Sequence, residues 1–479
     1  MQKQVSHINF LLNNEKIQID FTQQQDFSPT TTVLEWLRSM DDYSGVKEGC
    51  AEGDCGACTV VIADAVDGKL VYRSVTSCIL FLPYLNGKQL LTVEHLSKNI
   101  NGDYLLHPVQ EVLAKHNGSQ CGYCTPGIVM SLFSFQKNQE TVEDIPYSLS
   151  GNLCRCTGYE SIREAAVEIV GLPKTPDQFQ LDEAAVVSIL EEMKLEATSF
   201  SAENYYQAHT LEEALTYKKA HPDAIMIGGA SDIALLKTKK HQDLDAILDL
   251  SNVAEMKKIE KHKTYWEIGA SVTIEQLREA LSAEWPDFKN ILDAFGSKQI
   301  RNVATLGGNI GSASPIGDLL PLLMSHQAEI IIQSKHEVRP EQVEEFILAY
   351  RTTTLMPDEL ISKVIMPIDT NWVFWSEKVS KRRQLDISTV SAAFAIRLTG
   401  SKKIGAIVLS YGGMAAMPKR ASMAENFLLG RTIEESAFDR AAELVREEFQ
   451  PLSDARATKE GRSLIASNLL LKFFYSLDS

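Results

Sequence analysis

The chain reads as a multidomain α+β protein, and three observations predict it. All eight cysteines lie between Cys50 and Cys156 in two sets of four. The residues around the first set alternate in the period-two manner of hairpin strands, whereas those around the second recur at helical spacing. A long cysteine-free remainder follows, with two glycine-rich turns set among apolar runs. A chain of 479 residues holds roughly three domains, each able to bury its own core without covalent staples.

Bulk properties exclude several classes of function. A formal charge of −16 opposes general attraction to nucleic acid or anionic lipid, and the sequence has no run of apolar residues long enough to span a bilayer. Residues 1–20 lack the basic start and apolar stretch of a secretory leader, so a cytoplasmic, reducing location is expected. The even cysteine number would allow disulfides, but small secreted chains use those, and the spacings favour metal.

Ile8–Leu12 and Lys16–Ile19 are expected as two strands turned at Asn13-Asn14, residues that tolerate positive φ. Thr32-Val-Leu-Glu35 has the capping-box form and predicts a short helix to about Met40. Next comes Cys50-x4-Cys55-x2-Cys58, with Cys78 further on, which is the plant-type ferredoxin spacing for a [2Fe–2S] cluster. Its intervening residues are mostly glycine or small, so backbone N–H groups can approach the sulfurs, and Gly53 and Gly56 permit that approach. A second hairpin, Thr59–Ile62 and Leu70–Tyr72 about Asp67-Gly68, carries the chain to Cys78. Four thiolates could also close around zinc, although zinc sites more often use two short pairs.

Val109, Val112 and Leu113 mark a helix before Asn117-Gly118, and Ile128 to Phe135 and Ile162 to Val170 mark two more. Cys121-x2-Cys124 and Cys154-x-Cys156 therefore fall in inter-helix loops facing one metal centre. Zinc is harder to exclude here, because Cys-x2-Cys is also its common half-site.

Three stretches carry a family resemblance: Glu48-Gly-Cys-Ala-Glu-Gly-Asp-Cys-Gly-Ala-Cys58, Gln120-Cys-Gly-Tyr-Cys-Thr-Pro-Gly127 and Gly151-Asn-Leu-Cys-Arg-Cys-Thr-Gly-Tyr159. Over about residues 5–170 the chain resembles the iron–sulfur part of the molybdenum hydroxylases. The resemblance implies a β-grasp [2Fe–2S] domain over 1–88 with ligands Cys50, Cys55, Cys58 and Cys78. It implies a four-helix [2Fe–2S] domain over 89–172 with ligands Cys121, Cys124, Cys154 and Cys156, whose cluster lies nearer the molybdopterin. Gln120 would then approach the pterin of a partner. The chain departs from the family at Glu160-Ser161, where Arg-Pro is usual.

Pro173 and Pro176 open an acidic, helix-prone stretch, read as a linker over 173–197. Beyond it, Ala224–Ile233 is an apolar strand ending in a glycine turn, and Thr305–Asp318 is a longer glycine-rich loop. Either could present N–H groups to a pyrophosphate, and taken alone either could equally be an ordinary turn. Together and in this order they resemble the flavin domain of the same family, an α+β FAD-binding domain expected over 198–370. The resemblance places Met226, Ile227, Gly228, Gly229, Ala230, Ser231, Asp232 and Ile233, with Thr305, Leu306, Gly307, Gly308 and Asn309, against the FAD diphosphate. It places Phe295 near the isoalloxazine, Asp318 at the ring or ribitol end, and Ile361 and Lys378 at further cofactor contacts.

Residues 371–479 resemble the α+β C-terminal domain of these flavoproteins, through Ser380-Lys-Arg-Arg383 and Tyr411-Gly-Gly-Met414. The basic run is either a solvated surface or a receiver of NAD phosphates. Gln384-Leu385 stands where relatives carry two acids, which leaves the final electron acceptor open. No Ser/His/Asp constellation marks a catalytic nucleophile, and histidines such as His107 and His326 read as packing or surface residues. The expected protein is the electron-transfer small subunit of a purine-oxidising molybdenum hydroxylase, the alternatives being the same module in an aldehyde or N-heterocycle hydroxylase and a stand-alone iron–sulfur flavin reductase. Its large molybdopterin-binding subunit would be a separate chain in a heterotetramer, and electrons would run through two [2Fe–2S] clusters to FAD and then NAD.

Overall fold

The computed structural model describes residues 5–23, 26–101, 103–172, 177–195, 199–400 and 403–477. They form two compact units: residues 1–209, 224–252 and 297–304 make the first, and residues 210–223, 253–296 and 305–479 the second. Pro173 and Pro176 lie outside the described residues.

The first unit opens on β1 (His7–Leu12) and β2 (Glu15–Asp20), turned at Asn13, whose φ of 56° is the left-handed conformation asparagine tolerates. β3 (Thr59–Val66) and β4 (Lys69–Thr76) turn at Asp67-Gly68, both at positive φ. β5 (Gln89–Leu91) pairs parallel to β1 and antiparallel to β3, giving the sheet order β2-β1-β5-β3-β4. One parallel pair inside an otherwise antiparallel sheet is the β-grasp arrangement. α1 (Val33–Arg38) begins at the Thr32–Glu35 capping box and buries Val33, Leu34, Trp36 and Leu37. It ends two residues earlier than the sequence suggested.

Four helices carry the second cysteine set: α2 (Pro108–Lys115), α3 (Thr125–Lys137), α4 (Ile145–Leu149) and α5 (Glu160–Val170). Their shared core includes Val109, Leu113, Leu132, Phe133, Ile162 and Ala165 together with Val61 and Leu91 of the sheet. The helical and sheet parts are thereby fused through apolar burial rather than tethered. His107 is buried: its ring caps α2 by accepting from Val109 N, and Nε2 meets Asp177 at 3.0 Å.

The stretch expected to link the halves is, from Gln178 to Leu195, an 18-residue helix, α6. Its Val186, Val187 and Leu190 pack on Leu11 and Ala65 of the sheet, and Lys194 pairs with Asp64 at 2.6 Å. The unit is completed by a four-stranded sheet in the order Ile225–Ile227, Ile247–Asp249, Tyr205–Gln207, Phe200–Ala202.

The second unit contains a five-stranded antiparallel sheet in the order Ile259–Lys261, Tyr265–Gly269, Leu360–Pro367, Glu329–Gln333, Val338–Gln342. It also contains an antiparallel meander, Trp372–Val379, Val390–Leu398, Ile404–Gly412 and Lys419–Arg420. Helices Glu435–Glu448 and Lys459–Ser476 cover the meander through Phe438, Ala441, Val445, Leu470 and Phe473. His326 is buried here, stacked on Phe374 at 3.8 Å with Nε2 2.7 Å from Asp287. Both histidines singled out from sequence are thus packing residues.

Candidate functional site

The loop between α1 and β3 wraps because Ala51, Gly53 and Gly56 take positive φ. A β-carbon on Gly49 would stand 2.7 Å from Cys55 Sγ, and one on Gly56 would overlap the Gly151 carbonyl. Glycine is therefore required where the backbone crowds the sulfurs. The backbone N–H groups of Glu52 and Cys55 each donate to Cys50 Sγ at 3.4 Å, and Cys58 and Cys78 are buried beneath. The four thiols converge closely enough to share protons. Cys50 falls far below the ordinary thiol value because Cys55 and Cys78 donate to it, and those two rise far above it as donors. Cys58 is lowered in turn by Cys78.

The second set converges from two inter-helix loops. Cys121 is lowered by the Tyr123 backbone N–H and by Cys156, which rises as that donor. Cys124 is pushed up to about 12 by burial and by its bond to Cys154. Burial works against the Cys154 thiolate, yet the Thr157 hydroxyl, 3.1 Å from its sulfur, brings it below the usual value. Tyr159, held at φ 70°, accepts from Cys154 N through its hydroxyl at 2.9 Å. Cys121 and Cys156 are exposed, unlike Cys58 and Cys78.

All eight cysteines are free of disulfides. Four convergent sulfurs that lean on one another's protons, met by backbone N–H and hydroxyl donors, are the donor set an iron–sulfur core needs. The donor types suit that group, although among the described residues no three His, Cys, Asp or Glu side chains form a ready-made metal-holding group.

The flavin candidates divide between the units. In the first, strand Ile225–Ile227 runs into Gly228-Gly229, where a β-carbon on Gly229 would overlap the Val303 carbonyl. Ala230 follows at φ 56°, and Ser231, Asp232 and Ile233 lead into helix Ala234–Thr238. In the second, Thr305 caps helix Leu306–Gly311 by accepting from Gly308 N, and Gly307 N donates to Ala270 O at 2.7 Å. Asn309 Oδ1 is buried with no partner, an acceptor awaiting a donor. Ile361 Cδ1 lies 3.9 Å from where a β-carbon on Gly311 would be, beside this segment.

Lys378 Nζ donates to Asp318 Oδ2 at 2.7 Å and to the Ala294 carbonyl, next to Phe295, at 2.9 Å. Ser388, not foreseen from sequence, donates to the other Asp318 oxygen. The two expected cofactor contacts thus satisfy each other's buried charge and brace the residue before Phe295. Nothing in the sequence marks Asn152 and Gln299, whose buried side chains bond each other at 2.9 Å.

Residues 92–167 match the [2Fe-2S] binding domain, residues 198–369 the FAD binding domain in molybdopterin dehydrogenase, and residues 375–477 the CO dehydrogenase flavoprotein C-terminal domain. The chain is 32% identical to a xanthine dehydrogenase of Emericella nidulans, over 90% of this chain and 35% of that one. It is 31% identical to a xanthine dehydrogenase of Oryza sativa subsp. japonica, over 93% and 38% respectively. The chain belongs to the molybdenum hydroxylases. Within that family it is the iron–sulfur and FAD electron-transfer module of the xanthine dehydrogenase-like members.

The module spans just over a third of the length of the curated relatives it matches. Among solved structures, quinoline 2-oxidoreductase from Pseudomonas putida 86 is 26% identical with a TM-score of 0.52, covering 58% of this chain and 98% of that one. CO dehydrogenase from Oligotropha carboxidovorans, 24% identical with a TM-score of 0.52 over 56% of this chain and 95% of its own, shares the fold. Among the described residues no helix is long and apolar enough to cross a membrane.

Proposed function

We propose that this chain is the electron-transfer small subunit of an NAD-dependent xanthine dehydrogenase. A large molybdopterin-binding partner would oxidise hypoxanthine and xanthine to urate, and the complex would be a cytoplasmic heterotetramer of two copies of each. The observation that carries the reading is the pair of convergent cysteine quartets in one unit, each lined with donors to sulfur. The ligands are Cys50, Cys55, Cys58 and Cys78 for one [2Fe–2S] cluster and Cys121, Cys124, Cys154 and Cys156 for the other.

Bound there, the clusters would relay single electrons and FAD would gather them in pairs for NAD. The chain's own residues supply the setting. Glu52 and Cys55 N–H groups and the Thr157 hydroxyl stabilise negative charge on sulfur, and burial of Cys58 and Cys78 excludes water. Met226–Ile233, Thr305–Asn309, Phe295, Asp318, Ile361 and Lys378 would hold the flavin. The exposed Lys381 and Arg383 could meet NAD phosphates, and Arg382 is steadied by Asp386 at 3.1 Å.

Isolation of the tagged chain from its native host tests this. Copurification of a molybdenum-containing subunit and xanthine-dependent reduction of NAD are expected; absence of molybdenum would defeat the reading in favour of a stand-alone iron–sulfur flavin reductase. The likeness to quinoline 2-oxidoreductase favours a second reading, the same module in an N-heterocycle or aldehyde hydroxylase. Turnover of nicotinate or benzaldehyde but not xanthine would select it.

A further inference from the structure

The two cysteine loops touch. Leu153 N donates to Cys55 O at 3.0 Å, so a residue adjoining Cys154 is bonded to the backbone of a cysteine in the other quartet. Around this contact lies a polar network sealed from water: Asn152 is 5% exposed, Ser131 2% and Gln299 0%. Asn152 Nδ2 donates to Gly56 O at 3.2 Å, the residue after Cys55, and to Thr59 Oγ1 at 3.3 Å. Its Oδ1 accepts from Ser131 Oγ at 2.7 Å and from Gln299 Nε2 at 2.9 Å, and Gln299 also reaches Ser131 Oγ at 3.1 Å. One amide side chain thereby joins the first cysteine loop, helix α3 beside the second, and the short helix Lys298–Arg301.

That short helix is fastened to both sides. Lys298 pairs with Glu140, Asn302 Nδ2 donates to Ser74 O at 2.8 Å, and a β-carbon on Gly53 would meet Ile300 Cδ1 at 2.9 Å. Space is exhausted at the junction: β-carbons on Gly56 and Gly127 would overlap backbone carbonyls of the opposite loop, and one on Gly151 would overlap Gln299 Oε1. Close approach and a buried amide network together fix one spacing, because each bond lost here leaves a polar group unpaired away from water.

We propose that Asn152, supported by Gln299, is a positioning residue that sets the spacing of the two cysteine loops, and that the Leu153–Cys55 hydrogen bond it steadies carries the electronic communication between them. The inference rests on the two-cluster reading above. Neither side chain bonds a cysteine sulfur, so each site keeps its own ligands and donors when the hub is removed; what changes is their coupling.

The test is low-temperature EPR of the fully reduced full-length protein, with hydrogen exchange of the Leu153 amide. The unsubstituted protein is expected to give two signals that split one another. Asn152→Ala is expected to retain both signals and their g-values, lose the splitting, and accelerate Leu153 exchange. Gln299→Met, which removes the outer support at similar volume, is expected to do the same and serves if Asn152→Ala does not fold. Unchanged splitting and exchange in either loaded variant overturns the proposal. Two unsplit signals in the unsubstituted protein overturn it while leaving the two clusters standing, whereas a single signal overturns the two-cluster reading and the proposal with it.

Discussion

The two cysteine sites meet the same chemical demand by different means. In the first, a glycine-rich loop on a sheet brings backbone N–H groups to Cys50, and Cys58 and Cys78 sit at 1% and 2% exposure. In the second, two loops between helices leave Cys121 and Cys156 at the surface, and a side-chain hydroxyl, Thr157, joins backbone N–H groups such as that of Tyr123 as a donor to sulfur. The sheet site thus places two of its cysteines, Cys58 and Cys78, in the core, whereas the helical site places one there, Cys154, with Cys124 packed beside it.

The largest expected effect concerns the ligands. Cys55→Ser is expected to abolish one of two EPR-distinguishable reduced clusters and Cys124→Ser the other; loss of the same signal in both would merge what is separated here. Next come the glycines. Gly56→Ala combines positive φ with overlap of the Gly151 carbonyl and is expected to cost about 3 kcal/mol by thermal unfolding. Gly122→Ala in the other site, at φ 82° with nothing within 4 Å, is expected to cost only about 1 kcal/mol.

Thr157→Val removes a hydroxyl from Cys154 and is expected to lower that cluster's midpoint potential by about 60 mV, a tenfold change for a one-electron couple, with Thr157→Ser restoring it. A redox titration followed by EPR measures it, and the signal assigned to the first set should not move.

The smallest effect lies at the α6 clasp. Burial would raise Asp64, but Lys88 and Lys194 outweigh it and hold its carboxyl below the usual value. Its folded pKa being depressed, Asp64 contributes stability above the ordinary carboxylate range that is lost as pH falls through that lowered value. Asp64→Asn is expected to cost about 1 kcal/mol at neutral pH and nothing once the wild-type carboxyl is protonated, in denaturant unfolding at several pH values.

Local features were legible in the sequence because local chemistry decides them. The Asn13 and Asp67-Gly68 turns, the Thr32 capping box and the helical runs at Val109 and Ile128 all appear where residue preference placed them. Partners distant in sequence were not legible. Nothing near Gln89 announces a parallel pairing with β1, and nothing near Gln299 points to Asn152, 147 residues away. Asp318 and Lys378 were read as contacts to a cofactor, and their mutual pairing across 60 residues could be seen only once the meander was in place. The docking of α6 was not legible because the partners of Val186, Val187 and Leu190, Leu11 and Ala65, lie far upstream in sequence.

That docked helix bears on how the redox half can be cut out for study. A fragment ending at residue 172 would bare Leu11 and Ala65 and strip Leu70 N of its Glu183 acceptor, inviting self-association. A piece running through Leu195 keeps this clasp, but one with a closed core must also hold Phe200, Tyr205, Ile227 and Ile247, which share a core with Ile8 and Phe10.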